Sequence, residues 1–492
     1  MKRLSLLAVV AAALMGGFFM RPVMVQAAAP RPNVVFILVD DLAYDALGFM
    51  GRYPFLKTPH IDQLAKEGAW FRNAFVTISL CSPSRSAFLT GMYAHNTGVP
   101  TNERCEIPPD MPTFPSQLQK AGYSTAFVGK WHMLPRDDPR PGFDHWVSFK
   151  GQGVYFDPKL NVDGKPVNRE GYITDLLTDY ATAWLDKQAG KDKPFCLYLS
   201  HKAVHGPFTP AKRHAHEMDD VELAVPESFL DDMADKPRWM RRNAWGAKKP
   251  GPVPDKLPQK QWPAKRKDRL GYLGAILAVD ECVGRVMDTL KKIDHLDDTI
   301  VVFTSDNGFF MGEHRRGDKR LAYEESMRIP MIVRYPAKVK SGSVIDAMTL
   351  NIDIAPTFMQ LGGAKIPDGV QGRSLVPVLD GSTPDNWRQA FLYEYFRERH
   401  FNQTPTLLAV RTERYKYIVA TDEKDDIAEL YDLQKDPKEL ESVINDPQYA
   451  DVLAMMKNKL NMLKQKTGYH VPDILKKKPA DRAPRPGKKT AK

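Results

Sequence analysis

The protein has 492 residues, and its 70 lysines and arginines against 60 aspartates and glutamates give a formal charge of +10. Residues 1–27 hold three basic residues and no acid, and residues 476–492 hold eight basic residues and one acid, so the body at 28–475 is neutral. A neutral body argues against a nucleic-acid binder, and a hydrophobic fraction of 43% excludes an intrinsically disordered chain.

The N-terminus has the pattern of an export signal. Lys2 and Arg3 precede an apolar stretch at residues 4–20, and Val25-Gln26-Ala27 places small residues where a signal peptidase cleaves. We therefore expect a signal peptide at residues 1–27, export to the periplasm or the medium, and no stable membrane span after cleavage. The alternative is an uncleaved anchor, because the stretch is slightly long for a signal core and short of the about 20 residues that span a membrane.

Four short apolar runs predict the central strands of an α/β fold. They cover residues 33–39, 124–128, 195–200 and 300–305. Each run is apolar on consecutive positions, which is typical of strands buried on both faces of a parallel sheet. Helical patterns that can form the crossovers lie between them, at residues 61–67, 174–188 and 270–293.

Each apolar run ends in polar residues that can carry chemistry. In chain order these are Asp40 and Asp41, Lys130 and His132, His201 and His205, and Asp306 and Asn307. Ligands bind beyond the carboxyl ends of parallel strands, so neighbouring strands would bring these side chains to one crevice. Any one of them could instead cap a helix or satisfy a loop, but four such coincidences favour a site.

The pattern changes after about residue 370. Strands are predicted at residues 391–396, 407–411 and 415–420, followed by a helix near residues 449–463. The mature chain is therefore divided into a catalytic domain at residues 28–370, a C-terminal α+β subdomain at residues 371–470 and a basic tail at residues 471–492.

Residues 236–269 form a basic segment within the catalytic domain. The segment holds twelve lysines and arginines against Asp255 and Asp268. Its six prolines argue against a long helix, so an extended insertion is predicted. Such an insertion is either a solvated loop or a surface that attracts an anionic polymer.

The four cysteines are Cys81, Cys105, Cys196 and Cys282, and none belongs to a C-x-x-C pair that would indicate zinc. An exported protein could join two of Cys105, Cys196 and Cys282 in a disulfide. Cys81 opens the motif C-x-P-x-R in residues 81–91, CSPSRSAFLTG. Alone, a cysteine in such a short motif is more often a small buried hydrophobe than a nucleophile.

Together with three other motifs, this segment resembles the type I sulfatases of the alkaline phosphatase superfamily. The motifs are Asp40-Asp41, Gly129-Lys130-Trp131-His132 and Ser305-Asp306-Asn307-Gly308. The resemblance extends over residues 33–446. It implies an alkaline-phosphatase-like fold, in which a large, mostly parallel sheet is sandwiched by helices and followed by a smaller C-terminal α+β domain.

The resemblance also implies roles for the residues of the crevice. A maturation enzyme would oxidise Cys81 to formylglycine, whose hydrate attacks the sulfur of a sulfate ester and then releases sulfate, a route that a serine lacks. By the same resemblance, Arg85 holds the hydrate and the metal ligands, and Lys130 and Lys319 bind the sulfate. His132 assists at the hydrate and in the release of sulfate, and His205 protonates the leaving oxygen. His201 is expected to be structural, and His214 and His216 to be loop residues.

A single cation is expected in the same crevice. Asp40, Asp41, Asp306 and Asn307 offer only hard oxygen ligands, which favours Ca²⁺ over zinc, with Mg²⁺ as the alternative. The resemblance adds the modified Cys81 as a further ligand.

Two further motifs look like those of bacterial polysaccharide sulfatases, notably the N-acetylglucosamine-6-sulfatases. They are Gly142-Phe-Asp-His-Trp146 and Tyr323-Glu-Glu-Ser-Met-Arg-Ile-Pro330. We therefore expect hydrolysis of sulfate monoesters on a sulfated polysaccharide or glycosaminoglycan. The alternatives are a phosphonate or phosphate monoester hydrolase with the same formylglycine, and a non-catalytic homologue that binds sulfated glycans.

Overall fold

The structure, a computed structural model, describes residues 31–103, 105–244, 262–423 and 426–476. The predicted signal peptide, most of the basic tail and residues 245–261 of the basic segment lie outside these described residues. Across the described ranges, no helix is both long and apolar enough to cross a membrane.

The described residues form eighteen strands. In chain order they are β1 (Asn33–Val39), β2 (Ala69–Phe71), β3 (Ala74–Phe75), β4 (Ser124–Gly129), β5 (His145–Ser148), β6 (Lys159–Val162), β7 (Lys165–Asn168), β8 (Phe195–Ser200), β9 (Thr299–Ser305), β10 (Phe310–Met311), β11 (Gly317–Asp318), β12 (Met331–Arg334), β13 (Ser343–Ile345), β14 (Thr349–Leu350), β15 (Ala390–Tyr395), β16 (Leu407–Thr412), β17 (Tyr415–Ala420) and β18 (Glu429–Asp432).

Ten of these strands form one large sheet in the order β13, β2, β12, β9, β1, β8, β4, β5, β6, β7. The five central neighbours, from β9 to β5, run parallel to one another. The four apolar runs predicted from the sequence are β9, β1, β8 and β4, and they lie side by side. Val39 is in register with Ser305, and Leu38 and Gly129 are both in register with Ser200, so these strands end at the same edge.

Eleven α-helices are seen in the described residues. They are α1 (Pro59–Glu67), α2 (Cys81–Thr90), α3 (Ala94–Thr97), α4 (Phe114–Lys120), α5 (Ile173–Asp186), α6 (Arg238–Arg242), α7 (Trp262–Lys292), α8 (Glu324–Met327), α9 (Ile354–Leu361), α10 (Ala450–Thr467) and α11 (Asp473–Lys476). The four helices predicted from periodicity correspond to α1, α5, α7 and α10.

Helices cover both faces of the large sheet. Successive residues of β1 point to opposite faces, so each one packs against one of the two helical layers. Phe36 packs against Phe88 of α2 and Phe358 of α9 on one face. Ile37 belongs to the second core, which also holds Leu177 of α5. Burial on both faces explains why the central strands are apolar at every position.

The basic segment differs from the predicted extended insertion at residues 236–244 and 262–269, the parts of it that the structure describes. Its described ends are helical, since they contain α6 and the first turns of α7. Pro263 lies in the first turn of α7, where the missing N–H of proline costs no intrahelical hydrogen bond. Lys236 is fully buried and donates to the carbonyls of Glu439 and Leu440 at 2.9 and 2.6 Å. The charge that the segment can offer to a polymer is therefore smaller than the sequence count suggests.

The C-terminal part contains an antiparallel sheet in the order β15, β16, β17, β18, against which α10 packs. This sheet confirms the smaller C-terminal domain and adds β18 to the three predicted strands. The limits drawn from the sequence, at residues 28–370 and 371–470, stay a prediction.

Candidate active site

The residues that follow the central strands meet at one edge of the large sheet. The backbone N–H of Asp41 donates to Oδ1 of Asp306 at 3.0 Å, and the N–H of Leu42 donates to Oγ of Ser305 at 2.8 Å. Asp40 and Asp306 are fully buried. The loop after β1 is thus tied to the end of β9, which holds the acidic side chains of both together.

Cys81 is the first residue of α2, and all of α2 is buried. Its sulfur lies 3.6 Å from Oδ1 of Asp40 and 3.0 Å from Nζ of Lys319. Burial raises the pKa of the Cys81 thiol to about 12, although the ammonium groups of Lys130 and Lys319 oppose the shift. The unmodified thiol therefore stays protonated at neutral pH and is a poor nucleophile.

Arg85 lies one helical turn after Cys81 and joins the ends of three strands. Its Nε and Nη2 lie 2.9 and 2.8 Å from Oδ2 of Asp306. Its Nη1 donates to the carbonyl of Lys130 at 2.8 Å and to Oγ of Ser200 at 2.6 Å. The planar guanidinium matches these fixed acceptors, so Arg85 fixes the relative positions of the three strand ends.

Two buried lysines neutralise the paired acids after β1. Lys130 forms an ion pair with Asp40, and Lys319 forms one with Asp41. Burial alone would raise the pKa of Asp40, but the charges of Lys130, His205, Arg85 and Lys319 together outweigh burial and hold this pKa well below its usual range. Burial likewise raises the pKa of Asp41, but Lys319 and the other nearby cations together lower it below its ordinary value. Both carboxylates are ionised at neutral pH.

The oxygen atoms of the crevice fit a hard cation. Asn307 donates its Nδ2 to Oδ1 of Asp41 at 2.8 Å, while its own Oδ1 is buried and has no hydrogen-bond partner among the described residues. Ligand atoms of Asp40, Cys81 and Asp306 lie within 4.8 Å of one another. Burial, then the charge of Asp40, raises the pKa of Asp306 to about 7 in spite of Arg85. An unpaired amide oxygen among crowded carboxylates is the donor set that Ca²⁺ prefers.

Two histidines flank this centre from different loops. Nε2 of His205 lies 3.7 Å from Oδ2 of Asp41, and its Nδ1 lies 2.9 Å from the carbonyl oxygen of Gly206. Nδ1 of His132 lies 3.3 Å from Oγ of Ser82, the residue after Cys81. Burial, with help from Lys130, lowers the pKa of His205 to about 4 and lowers that of His132 well below its usual value.

The other candidate residues take part in packing or in surface contacts. Nε2 of His201 lies 3.1 Å from Sγ of buried Cys282, which supports the structural interpretation. His214 and His216 contact Glu217 and Asp219 in a loop. Within the described residues Cys105, Cys196 and Cys282 form no disulfide, so the pairing considered from the sequence is not made.

Sequence reasoning missed three residues that support the crevice. Oγ of Ser200 accepts from Arg85, as described above. The hydroxyl of Tyr155 donates to the carbonyl of His205 at 2.6 Å, and Nζ of Lys202 lies 4.7 Å from the Tyr155 ring centroid. Burial lowers the pKa of Lys202 to about 8. Ser200 and Lys202 flank His201 at the end of β8. Their position at the end of a predicted strand is the sequence signal that could have identified them as site residues.

Comparisons with known proteins identify the family of this chain. The family described as Sulfatase matches residues 32–364, and the family described as N-sulphoglucosamine sulphohydrolase, C-terminal, matches residues 312–466. The N-acetylglucosamine-6-O-sulfatase of Bacteroides thetaiotaomicron is 35% identical over 474 residues, which cover 85% of this chain and 84% of the relative.

Solved structures share the fold. A protein in complex with its substrate D-glucosamine-2-N,6-O-disulfate has a TM-score of 0.80 at 32% identity, over 90% of this chain and 99% of that one. A phosphonate monoester hydrolase from Silicibacter pomeroyi has a TM-score of 0.73 at 25% identity, over 89% and 96% of the two chains. The fold alone therefore does not separate sulfate from phosphonate chemistry.

Proposed function

Because the chain belongs to the sulfatase family and is a sulfuric ester hydrolase, we propose that it removes sulfate from carbohydrates, with N-acetylglucosamine-6-sulfate as the candidate unit. Support comes from the Bacteroides relative, named for that activity, and from the similar protein solved with a glucosamine disulfate. The observation that carries the proposal is the position of Cys81, whose sulfur contacts both Asp40 and Lys319 at the start of α2.

The proposed nucleophile is formylglycine, formed from Cys81 by a maturation enzyme that is this protein's expected partner. The chemistry that the modified side chain supplies is a geminal diol, with one hydroxyl for attack on sulfur and a second for release of sulfate. The protein holds this position in a buried helix turn, where Lys130 and Lys319 surround it with positive charge.

The proposed cofactor is one Ca²⁺. Asp40, Asp41, Asp306 and Asn307 would hold it through oxygen atoms, with the modified Cys81 as a further ligand. A cation at this position stabilises the negative charge that develops on the sulfate. The buried unpaired oxygen of Asn307 supports this assignment, and the absence of histidines from the proposed ligands argues against zinc.

The remaining side chains have separate tasks. Lys130 and Lys319 bind the sulfate, because point-like ammonium groups suit a charge spread over several oxygens. Arg85 positions Asp306 and the backbone of Lys130. We propose that His205 donates the proton to the leaving sugar oxygen after the bound sulfate, together with Asp41 at 3.7 Å from its Nε2, raises its pKa from the low value of the free site. Tyr155 holds the backbone of His205 in place. His132, which contacts Ser82, acts beside the modified Cys81.

Kinetics of the matured enzyme on an aryl sulfate and an aryl phosphonate test the reaction class. We expect a higher kcat/KM on the sulfate, and a strong preference for the phosphonate would overturn the proposal. Mass spectrometry of the peptide around Cys81, after coexpression with a maturation enzyme, tests the nucleophile. Unmodified cysteine together with no sulfate release would instead support a glycan-binding protein. A screen of defined sulfated saccharides then identifies the sugar and the position of the sulfate.

Export is a further part of the proposal, and it rests on the sequence of residues 1–27. We expect the full chain to be processed after Ala27 and to appear outside the cytoplasm. N-terminal sequencing of the protein from fractionated cells checks this directly. A mature protein that keeps Lys2 and Arg3 would favour the uncleaved anchor.

A further inference from the structure

A pocket lies close to the sulfate centre beside Cys81. The rings of Phe208 and Phe309 in its lining pack on Tyr272, whose hydroxyl donates to the carbonyl of Asp41 at 2.8 Å. The volume of the pocket is about 660 Å³, which falls in the range for pockets that hold small ligands. Phe208, three residues after His205, forms part of the lining, and so does Asp318, the residue before Lys319. A sugar whose sulfate lies between Lys130 and Lys319 would therefore extend into this pocket.

Arg316 lines this pocket and is 94% buried, with only 6% of its surface exposed. Its backbone N–H donates to the carbonyl of Glu313 at 2.8 Å. Within the described ranges, however, its guanidinium makes neither a hydrogen bond nor an ion pair. A guanidinium carries five N–H donors and no acceptor, so one that lines a pocket without a protein partner has donors available for an anion.

The acids that share the pocket do not satisfy Arg316. Asp318 is bound by Arg320 through an ion pair, and Asp268 lines the same pocket without pairing with Arg316. The adjacent arginine, Arg315, donates its Nε to the carbonyl of Phe229 at 3.0 Å and so has a structural partner. Arg316, which lines the pocket, is thus the member of this pair whose guanidinium has no protein acceptor among the described residues.

The pocket suits a sugar that carries an anion. Aromatic rings of Phe208, Phe309 and Phe401 offer apolar faces, while Asn243 and Gln403 offer amide groups. Burial lowers the pKa of Arg316 to about 10, and the nearby Asp318 carboxylate only partly opposes this, so the side chain remains a cation at neutral pH. A cation with free donors in a partly aromatic pocket matches an oxyanion on a carbohydrate.

We propose that Arg316 recognises a second anionic group on the substrate, distinct from the sulfate that is removed. This inference rests on the proposed function, because it assumes that a sulfated sugar occupies the centre beside Cys81. The second anion is either another sulfate on the same sugar or the carboxylate of a neighbouring uronic acid. Both are oxyanions that an arginine can bind in a bidentate manner.

The test compares substrates that differ only in the second anion. Matured wild-type enzyme and Arg316→Gln are assayed on N-acetylglucosamine-6-O-sulfate, on glucosamine-2-N,6-O-disulfate, and on 6-O-sulfated disaccharides with and without a uronic acid. Lys340→Gln is the matched control, since Lys340 is an exposed residue between β12 and β13. We expect the Arg316→Gln variant to lose about 10- to 100-fold in kcat/KM on one of the doubly charged substrates. The loss on its singly charged counterpart should be at least about tenfold smaller.

Each outcome decides the inference. A selective loss on the disulfate assigns Arg316 to a second sulfate, and a selective loss on the uronic acid disaccharide assigns it to a carboxylate. Equal losses on singly and doubly charged substrates would show that Arg316 only maintains the shape of the pocket, and would overturn the proposal. Wild-type kinetics for both Arg316→Gln and Lys340→Gln on every substrate would overturn it as well.

A binding measurement separates this inference from the proposed function. In the Cys81→Ala background with CaCl₂ present, titration calorimetry measures the affinity for the disulfate and the monosulfate without turnover. We expect Arg316→Gln to weaken binding of the doubly charged ligand selectively. If this selectivity is seen while matured wild type releases no sulfate, the binding role of Arg316 stands and the hydrolase proposal fails. If turnover is seen without the selectivity, the hydrolase proposal stands and the binding role of Arg316 fails.

Discussion

The ammonium nitrogen of Lys319 lies 3.0 Å from the sulfur of Cys81, although 238 positions separate the two residues in the chain. The same nitrogen forms an ion pair with Asp41. One lysine therefore contacts both the proposed nucleophile and a proposed cation ligand. A sulfate ester that reaches position 81 must come within range of this charge, which explains how the crevice can attract the sulfate before any reaction takes place.

Replacing Cys81 tests the covalent mechanism. Cys81→Ala should lower kcat/KM on any sulfate ester by about 10⁴-fold or more, because no nucleophile remains. Cys81→Ser, expressed without the maturation enzyme, should release at most one equivalent of alcohol, because a serine ester of sulfate lacks the second hydroxyl. Burst kinetics and intact mass measure both effects.

The fold supplies the control for this experiment. Alanine removes only the sulfur from the start of α2, so circular dichroism and the thermal melting temperature of Cys81→Ala should stay close to those of wild type. Steady turnover by unmodified Cys81→Ser, or sulfate release by Cys81→Ala, would contradict the mechanism.

Cation binding should stabilise the folded protein. Asp40, Asp41 and Asp306 place three buried carboxylates in one crevice, and Asn307 adds an unpaired oxygen, so Ca²⁺ relieves repulsion in the native state alone. At a Ca²⁺ concentration 100 times the Kd, the gain is about 2.7 kcal/mol. Differential scanning fluorimetry with EDTA and with added CaCl₂ measures it as a shift in Tm.

Asn307→Ala separates this site from nonspecific ion effects. We expect at least about tenfold weaker Ca²⁺ binding from this change, by analogy with losses seen when metal sites are perturbed. Asn386→Ala, at an exposed residue, should bind as wild type does. A melting temperature that responds to neither EDTA nor Ca²⁺ would count against a cation at this position.

The central strands and the acids could be predicted because they follow from local sequence. Burial on both faces requires consecutive apolar residues, and β1 and β9 carry that pattern directly into Asp40 and Asp306. Strand β2, with three residues, is too short to show any periodicity. Lys319 was assigned only through family resemblance, because no local pattern places it beside Cys81.

Arg316 could not have been predicted from the sequence. What distinguishes it from Arg315 is the partner of each guanidinium in the folded chain, and that depends on Phe229, 87 positions away from Arg316 in sequence. The extended interpretation of residues 236–269 is wrong at the two described ends of the segment for a related reason. Its prolines allow a helix to start at Trp262, and buried contacts of Lys236 could not be read from charge alone.

Replacing His205 should have an effect that depends on the leaving group. A sugar alkoxide needs a proton as it departs, whereas an activated phenolate does not, so His205→Asn should cost about 10²–10⁴-fold in kcat/KM on sugar sulfates and less than about tenfold on a nitrophenyl sulfate. His216→Asn is the control, since His216 is exposed and pairs with Asp219 of the same loop. Equal losses on both substrate types would assign the proton to another residue.

The buried charge of Lys416 should be essential for stability, because it joins the C-terminal sheet to the segment that follows Lys319. Its Nζ lies 2.9 Å from Oε1 of Glu324 in α8 and 2.7 Å from Oε1 of Glu439. Lys416→Met would leave both acids buried without this cation, and we expect a loss of about 3–5 kcal/mol in the free energy of unfolding. Urea denaturation followed by tryptophan fluorescence measures the loss, with Lys457→Met on the exposed side of α10 as the control.

Adding Glu439→Gln to Lys416→Met should recover part of the loss, because it removes one uncompensated charge. Equal stability of Lys416→Met and wild type would show that the ion pairs are not needed to hold this part of the fold.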